Sequence, residues 1–140
     1  KGNNTMRSIE LINSASQTIA SGGKIALGNV NIKNCHGAFS YNGTDTITLV
    51  QSGIYQVIIK SNVVSTVADQ TVGYAIAYNG TVSTIANTGA VITDVGGVST
   101  LTLSKQVKIC GNNPISLTLV NSGTASTTYQ NVIVDIFRMD

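Results

Sequence analysis

Residues 46–64, TITLVQSGIYQVIIKSNVV, decide the fold. Thr46 to Val50 puts Ile47 and Leu49 on one face and Thr46 and Thr48 on the other, the period-two alternation of a half-buried strand. Gln51-Ser52-Gly53 supplies a turn. Ile54 to Val64 then predicts the strongest strand of the chain, with Tyr55, Val57, Ile59 and Val63 sharing a face. Two strands joined by a tight turn are the seed of an antiparallel sheet, and the rest of the chain repeats the pattern.

On the N-terminal side, Ile9 to Ile12 predicts a short strand, and Lys24 to Ile32 a twisted or bulged one with Ile25 and Leu27 on one side. Ala38 to Tyr41 follows, closed by the turn Asn42-Gly43. On the C-terminal side, Thr71 to Tyr78 alternates cleanly: Val72, Tyr74, Ile76 and Tyr78 face one way, Thr71, Gly73, Ala75 and Ala77 the other. Asn79-Gly80 is the preferred dipeptide of a type I′ hairpin, so Thr81 to Ile85 folds straight back. Asn87 to Gly97 reads as loop with room for a short strand. Ser99 to Ile109, Ile115 to Val120 and Gln130 to Arg138 are the last strands, the final two joined by the polar loop Asn121 to Thr128. About eight to ten short strands at this spacing, with no helical periodicity, predict an all-β, two-sheet antiparallel sandwich.

Composition agrees. The 140 residues suffice for one domain, 1–140, with 1–8 expected to be a lead-in from a preceding segment, since the chain opens on Lys1. Hydrophobic residues make up 42% and charged residues only 10%, so Ser, Thr and Asn supply much of the polar surface. A net charge of +2, with Lys105 and Lys108 the closest basic pair, argues against nucleic acid. No apolar run approaches the roughly 18 residues of a membrane helix, which argues against membrane insertion.

Three stretches resemble the C1q/TNF-like jelly roll. Ile47-Thr48-Leu49 followed by Ser52-Gly53-Ile54-Tyr55-Gln56-Val57 looks like that family's step through Gly-x-Tyr-x-Val into its long central strand. Tyr74 to Gly80 looks like the next strand, ending in an Asn-Gly turn, and Asn131 to Arg138 like the hydrophobic last strand. The chain is most similar to the bacterial and phage branch, which includes the C-terminal domains of collagen-like spore-surface glycoproteins and phage fibre heads. It has no Trp and only two Phe, unlike the aromatic-rich animal C1q heads. The resemblance implies a compact homotrimer on an extracellular surface structure, virion or spore or cell surface, with loops presented at one end.

The residues permit that assembly independently. Ile54 and Ile58 oppose Tyr55, Val57 and Ile59, and Ile133 and Phe137 oppose Val132, Val134 and Ile136. Strands apolar on both faces, in a chain so poor in charge, point to a partner over part of the outside. They also fit central strands lying under long loops. Ile133, Asp135 and Phe137 are therefore expected at a subunit contact. Asp135 stands out, because a lone carboxylate between Ile133 and Phe137 is costly if buried.

Chemistry is sparse. His36 is the only histidine, and neighbouring Cys35 points to the opposite face of an extended strand, so no Cys–His nucleophile forms. Cys35, His36 and Cys110 lack zinc-ligand spacing, and the acids form no paired motif. No catalytic residue, metal or cofactor is expected. Cys35 and Cys110 either pair, closing about 75 residues for roughly 4 kcal/mol, or remain buried free thiols. Asn42-Gly43-Thr44 and Asn79-Gly80-Thr81 match the glycosylation sequon but already serve as turns.

Two functions compete. A trimeric structural or adhesive head would recognise a host glycan or protein through its end loops, with Asp69, Asn87, Asp94, Asn112, Asn121, Thr127 and Tyr129 as contact residues. A monomeric carbohydrate-binding module would instead expose aromatic platforms, for which Tyr41 and Tyr129 are the candidates.

Overall fold

A computed structural model describes residues 6–34 and 36–139. They form eleven strands and no helix: β1 (Ser8–Asn13), β2 (Gln17–Ile19), β3 (Asn29–Asn34), β4 (Phe39–Tyr41), β5 (Ile47–Leu49), β6 (Gly53–Ser65), β7 (Gln70–Tyr78), β8 (Thr81–Ile92), β9 (Val98–Ile109), β10 (Ile115–Asn121) and β11 (Thr127–Arg138). One sheet runs β3-β1-β11-β6-β9, with β2 also on β11; the other runs β4-β5-β10-β7-β8. All pairings are antiparallel. This is the expected all-β, two-sheet jelly-roll sandwich.

The turn at Gln51-Ser52-Gly53 separates the sheets: β5 lies in the five-stranded sheet and β6 in the six-stranded one, so the decisive stretch bridges both layers. On β6, Tyr55, Val57, Ile59 and Val63 all point inward and are at most 2% exposed, as their alternation predicts. They meet Val72, Tyr74 and Ile76 of β7 and Leu117 and Leu119 of β10 in one continuous core.

Two tyrosines clasp the layers reciprocally. The Tyr74 hydroxyl, from the five-stranded sheet, lies 3.0 Å from the Ile59 carbonyl and 2.7 Å from that of Leu101 in the six-stranded sheet. The Tyr129 hydroxyl, from the six-stranded sheet, donates back to the Gly73 carbonyl at 2.5 Å. Their rings pack edge-to-face at 6.5 Å, an arrangement the ring quadrupoles favour. Both side chains are completely buried, and burial pushes both phenols well above their ordinary pKa.

Local departures have local causes. The expected strand Lys24 to Ile32 splits. Ile25 and Leu27 do point inward, but the backbone of Ala26 is satisfied by a side chain: Gln17 donates to its carbonyl at 2.9 Å and accepts from its amide at 2.9 Å. Gly28, at φ +81, then redirects the chain into β3; an added Cβ there would sit 2.1 Å from the Ile12 carbonyl. Strand β8 runs on to Ile92 through the expected loop, because β7 supplies a partner for each residue from Asn87 onward. Between Val82 and Asn87 it bulges, and the Ser83 hydroxyl accepts from the amides of Ile85 and Ala86 at 3.2 and 2.9 Å.

The clasp carries a quantitative expectation. Tyr129→Phe keeps the ring but removes the hydroxyl's bond to the Gly73 carbonyl, so it lowers unfolding free energy by about 1 kcal/mol. Tyr129→Ala also empties a buried ring volume and costs about 3–5 kcal/mol. Urea denaturation of the two variants checks both values, and an unchanged midpoint for Tyr129→Phe would show the bond contributes nothing.

Candidate interaction surfaces

The structure sorts the sequence-predicted contact residues into three groups. Asp69, Asp94 and Asn112 lie exposed on turns, as expected, but at opposite ends of the sandwich. Strand β9 starts beside the turn carrying Asp94 and ends beside the one carrying Asn112. Asp69 joins Asp94, since its amide donates to the Thr93 carbonyl at 2.9 Å. Asn87 is exposed on β8, opposite Ala75, and so lies on a sheet face instead of a loop.

Asn121, Thr127 and Tyr129 are corrections: they are 2%, 0% and 0% exposed. Asn121 is an internal clamp for the loop that follows it. Its Nδ2 donates to the carbonyls of Ile19 (2.9 Å) and Ala125 (3.0 Å), and its Oδ1 accepts from the Gly123 amide (2.8 Å). Thr127 accepts from buried Gln70 Nε2 at 2.9 Å. Gln70 Oε1 in turn accepts from the amides of Thr66 and Val67. Two buried amides thus fix the turns 66–69 and 122–126 at one end of the molecule, and buried Ser65, whose hydroxyl donates to the Asp94 carbonyl, holds the third, 93–97. Their polarity made them look like surface residues, whereas each satisfies backbone groups that the loop would otherwise bury unpaired.

The loss of Tyr129 removes one of the two aromatic platforms. The other, Tyr41, is half-buried, and its hydroxyl is engaged with the carbonyls of Gly28 (2.6 Å) and Thr44 (3.0 Å). Tyr55, expected inside, is fully buried, while Tyr78 is only partly so. Cys110 is exposed and carries a free thiol, so it is neither bridged nor a buried hydrophobe; its proposed partner Cys35 lies outside the described residues. His36 is exposed on a turn at φ +41, its carbonyl accepting from Gln51 Nε2.

Ile133, Asp135 and Phe137 project from β11 on the outer side of the six-stranded sheet, each partly exposed. The register builds a surface around them. Ser8, Glu10 and Ile12 of β1 stand opposite Phe137, Asp135 and Ile133. On the other flank, Gln56, Ile58 and Lys60 of β6 stand opposite Phe137, Asp135 and Ile133. The apolar members Ile12, Ile58, Ile133 and Phe137 thus surround a carboxyl pair that sequence reading missed, because Glu10 and Asp135 are far apart in the chain. Asp135 is not alone: Glu10 stands directly opposite it across the β1–β11 pairing. Asn31 Nδ2 donates to Glu10 Oε1 at 2.8 Å. Bonds from Asp135 and Asn31 hold Glu10 below its ordinary pKa, whereas burial, with Glu10 beside it, pushes Asp135 up to about 6.

No family model matches the chain, and no curated protein matches it by sequence. Solved structures do match in shape. The chain is similar to Eiger TNF from S. frugiperda at a TM-score of 0.78 and 8% identity, covering 98% of this chain and 94% of that one. Murine APRIL gives 0.68 at 8% identity, over 96% and 99% of the two chains. The globular domain of zebrafish complement 1qA gives 0.68 at 4% identity, over 96% and 97%. The fold is therefore the C1q/TNF-like jelly roll.

The carboxyl pair makes stability depend on pH with a definite sign. Asp135 titrates near 6 when folded and near 4 when unfolded, so between those values the folded chain binds more protons. Stability therefore falls as pH rises from about 4 to about 6, and stays at the lower level above. The depression of Glu10 acts the other way only at the acid end, below about pH 4.5. Asp135→Asn, whose amide donates to Glu10 without titrating, is expected to abolish the fall and to be the more stable protein at neutral pH. Urea midpoints measured across this range decide it; a wild-type midpoint that rises with pH would refute the assignment.

Proposed function

We infer that this chain is the non-enzymatic head domain of a homotrimeric fibre on an extracellular surface, of the bacterial or phage kind, and that it contacts its target through end loops. The observation that carries this reading is the outer face of the six-stranded sheet. Ile12, Ile58, Ile133 and Phe137 share it, and Ile54, at 36% exposure, extends it along β6. The outer face of the other sheet carries a minor cluster of Ala75, Ala77 and Val120, with Val82 and Val91 exposed on its edge strand β8. A contiguous apolar row along the central strands of a sheet face, in a chain with few charges, is characteristic of a subunit contact.

A threefold ring is closed by joining two different patches, one from each neighbour. A second patch lies along the side formed by β8 and β9. There Ile85 is 77% exposed, beside a groove of about 280 Å³ lined by Tyr78, Ile85, Val107 and Ile115, among others. Seating that side of one protomer on the sheet face of the next covers both.

Recognition then falls to the clamped end carrying Asp69 and Asp94. Its turns are rigid, rich in hydroxyls and weakly charged, so steering is slight and each head binds weakly. Three heads on one fibre supply the remaining affinity through avidity. A host glycan or protein fits that chemistry.

Sedimentation of the purified chain should give three times the monomer mass. Phe137→Asp places a charge in the contact and should shift the mass to that of the monomer while circular dichroism stays β-rich. A folded Phe137→Asp protein at unchanged trimer mass would remove Phe137 from the interface. For recognition, Asp69→Lys combined with Asp94→Lys should reduce attachment to host cells with trimer mass unaffected. Full attachment by that variant, and by one altered at Asn112, would leave the domain as a structural cap.

A further inference from the structure

The proposed contact face contains one group that an assembled neighbour has to accommodate. Glu10 and Asp135 stand directly opposite each other on β1 and β11, on the same face of the sheet. Two bare carboxylates facing each other repel, and one proton shared by the pair, which leaves it singly charged, relieves that repulsion. Asn31 donates to Glu10 and so favours Glu10 as the ionised member, leaving the proton on Asp135. The pair borders a shallow cavity of about 110 Å³ whose other walls include Ser8, Ile32 and Phe137. Ile58 stands against Asp135 on the β6 side.

Among the described residues, the neighbouring charged groups occupy other positions of the sheet. On β6, Lys60 faces the same side but stands opposite Ile133. On β3, Lys33 stands opposite Ile9, whose side chain points into the core. On β9, the residue in the row of Ile58 is Ser104, and Lys108 lies further along, opposite Ile54. Arg7 and Arg138 flank the far end of the row, where the Arg138 amide bonds the Arg7 carbonyl.

We propose that the Glu10–Asp135 pair makes self-association through this face proton-dependent, the copies joining with one proton held in each pair and separating as that proton leaves. This rests on the trimer reading above. Covering the face with a neighbour removes the water that solvates the carboxyls, and a doubly ionised pair suffers more from that loss than a singly charged one. The assembled state therefore binds the proton more tightly than the free chain does. By linkage, association strengthens as pH falls, by up to about tenfold per pH unit for each linked proton.

The test is sedimentation equilibrium of the full chain from about pH 4.5 to about pH 8, bracketing the carboxylate and histidine ranges. Wild type, Asp135→Asn and Glu10→Gln are compared. The expected result is a wild-type dissociation constant that climbs with pH, and variants that associate with a nearly constant affinity, Asp135→Asn remaining assembled at the alkaline end. A wild-type trimer of pH-independent affinity overturns this inference alone. So does an Asp135→Asn protein that keeps the wild-type slope. Association that strengthens with rising pH overturns it too, and would mean that a neighbour's cations meet the pair. A chain that is monomeric throughout refutes the trimer reading and this inference with it. Should Asp135→Asn fail to fold by circular dichroism, the slope of Glu10→Gln decides by the same criterion.

Discussion

The reciprocal clasp of Tyr74 and Tyr129 is the contact on which the rest of the sandwich depends. Each ring crosses the interior and spends its hydroxyl on a carbonyl of the opposite layer. An apolar core alone holds two sheets together without fixing how they slide over one another, because hydrophobic burial is non-directional. Directional bonds from buried hydroxyls add that registration, and they also avoid the cost of leaving a phenol unpaired in the interior. Once the layers are registered, the strand ends that carry the turns are fixed as well.

From that frame the two kinds of surface follow. At one end, Gln70 and Asn121 reach from strand ends into the turns and satisfy their backbone groups, so internal hydrogen bonds hold the polar loops. Along the outer side of the six-stranded sheet, the inward row of each strand is consumed by the core, and the outward row is left to whatever covers it. On β11 that row holds Ile133, Asp135 and Phe137, and on β6 it holds Ile54 and Ile58. The same alternation that builds the core therefore creates the apolar face, one residue out of phase.

Strand identity was legible wherever alternation was strict. Residues 54–64, 71–78 and 99–109 lie within β6, β7 and β9, because period-two burial leaves a signature in any chain. Alternation failed where another part of the molecule overrode it. Residues 87–97 read as loop with room for a short strand from their Gly, Thr and Val content, and β7 makes 87–92 part of a long strand by offering hydrogen bonds. Residues 24–28 read as strand from Ile25 and Leu27, yet the Gln17 side chain takes the place of a neighbouring strand.

The candidate surface divides along the same line. The sequence by itself determined that the chain is all-β, that its layers meet over Tyr55, Val57, Ile59, Val72 and Tyr74, and that Ile133, Asp135 and Phe137 share the outward side of the last strand. All of these depend on neighbours one or two residues away, which a linear reading can see. Only the tertiary structure decided that Tyr129, Asn121 and Thr127 lie inside, that Asp94 and Asn112 stand at opposite ends, and that Glu10 meets Asp135. Those depend on which strand lies beside which, and a carboxyl on the first strand acquires its chemistry only when the last strand is laid against it.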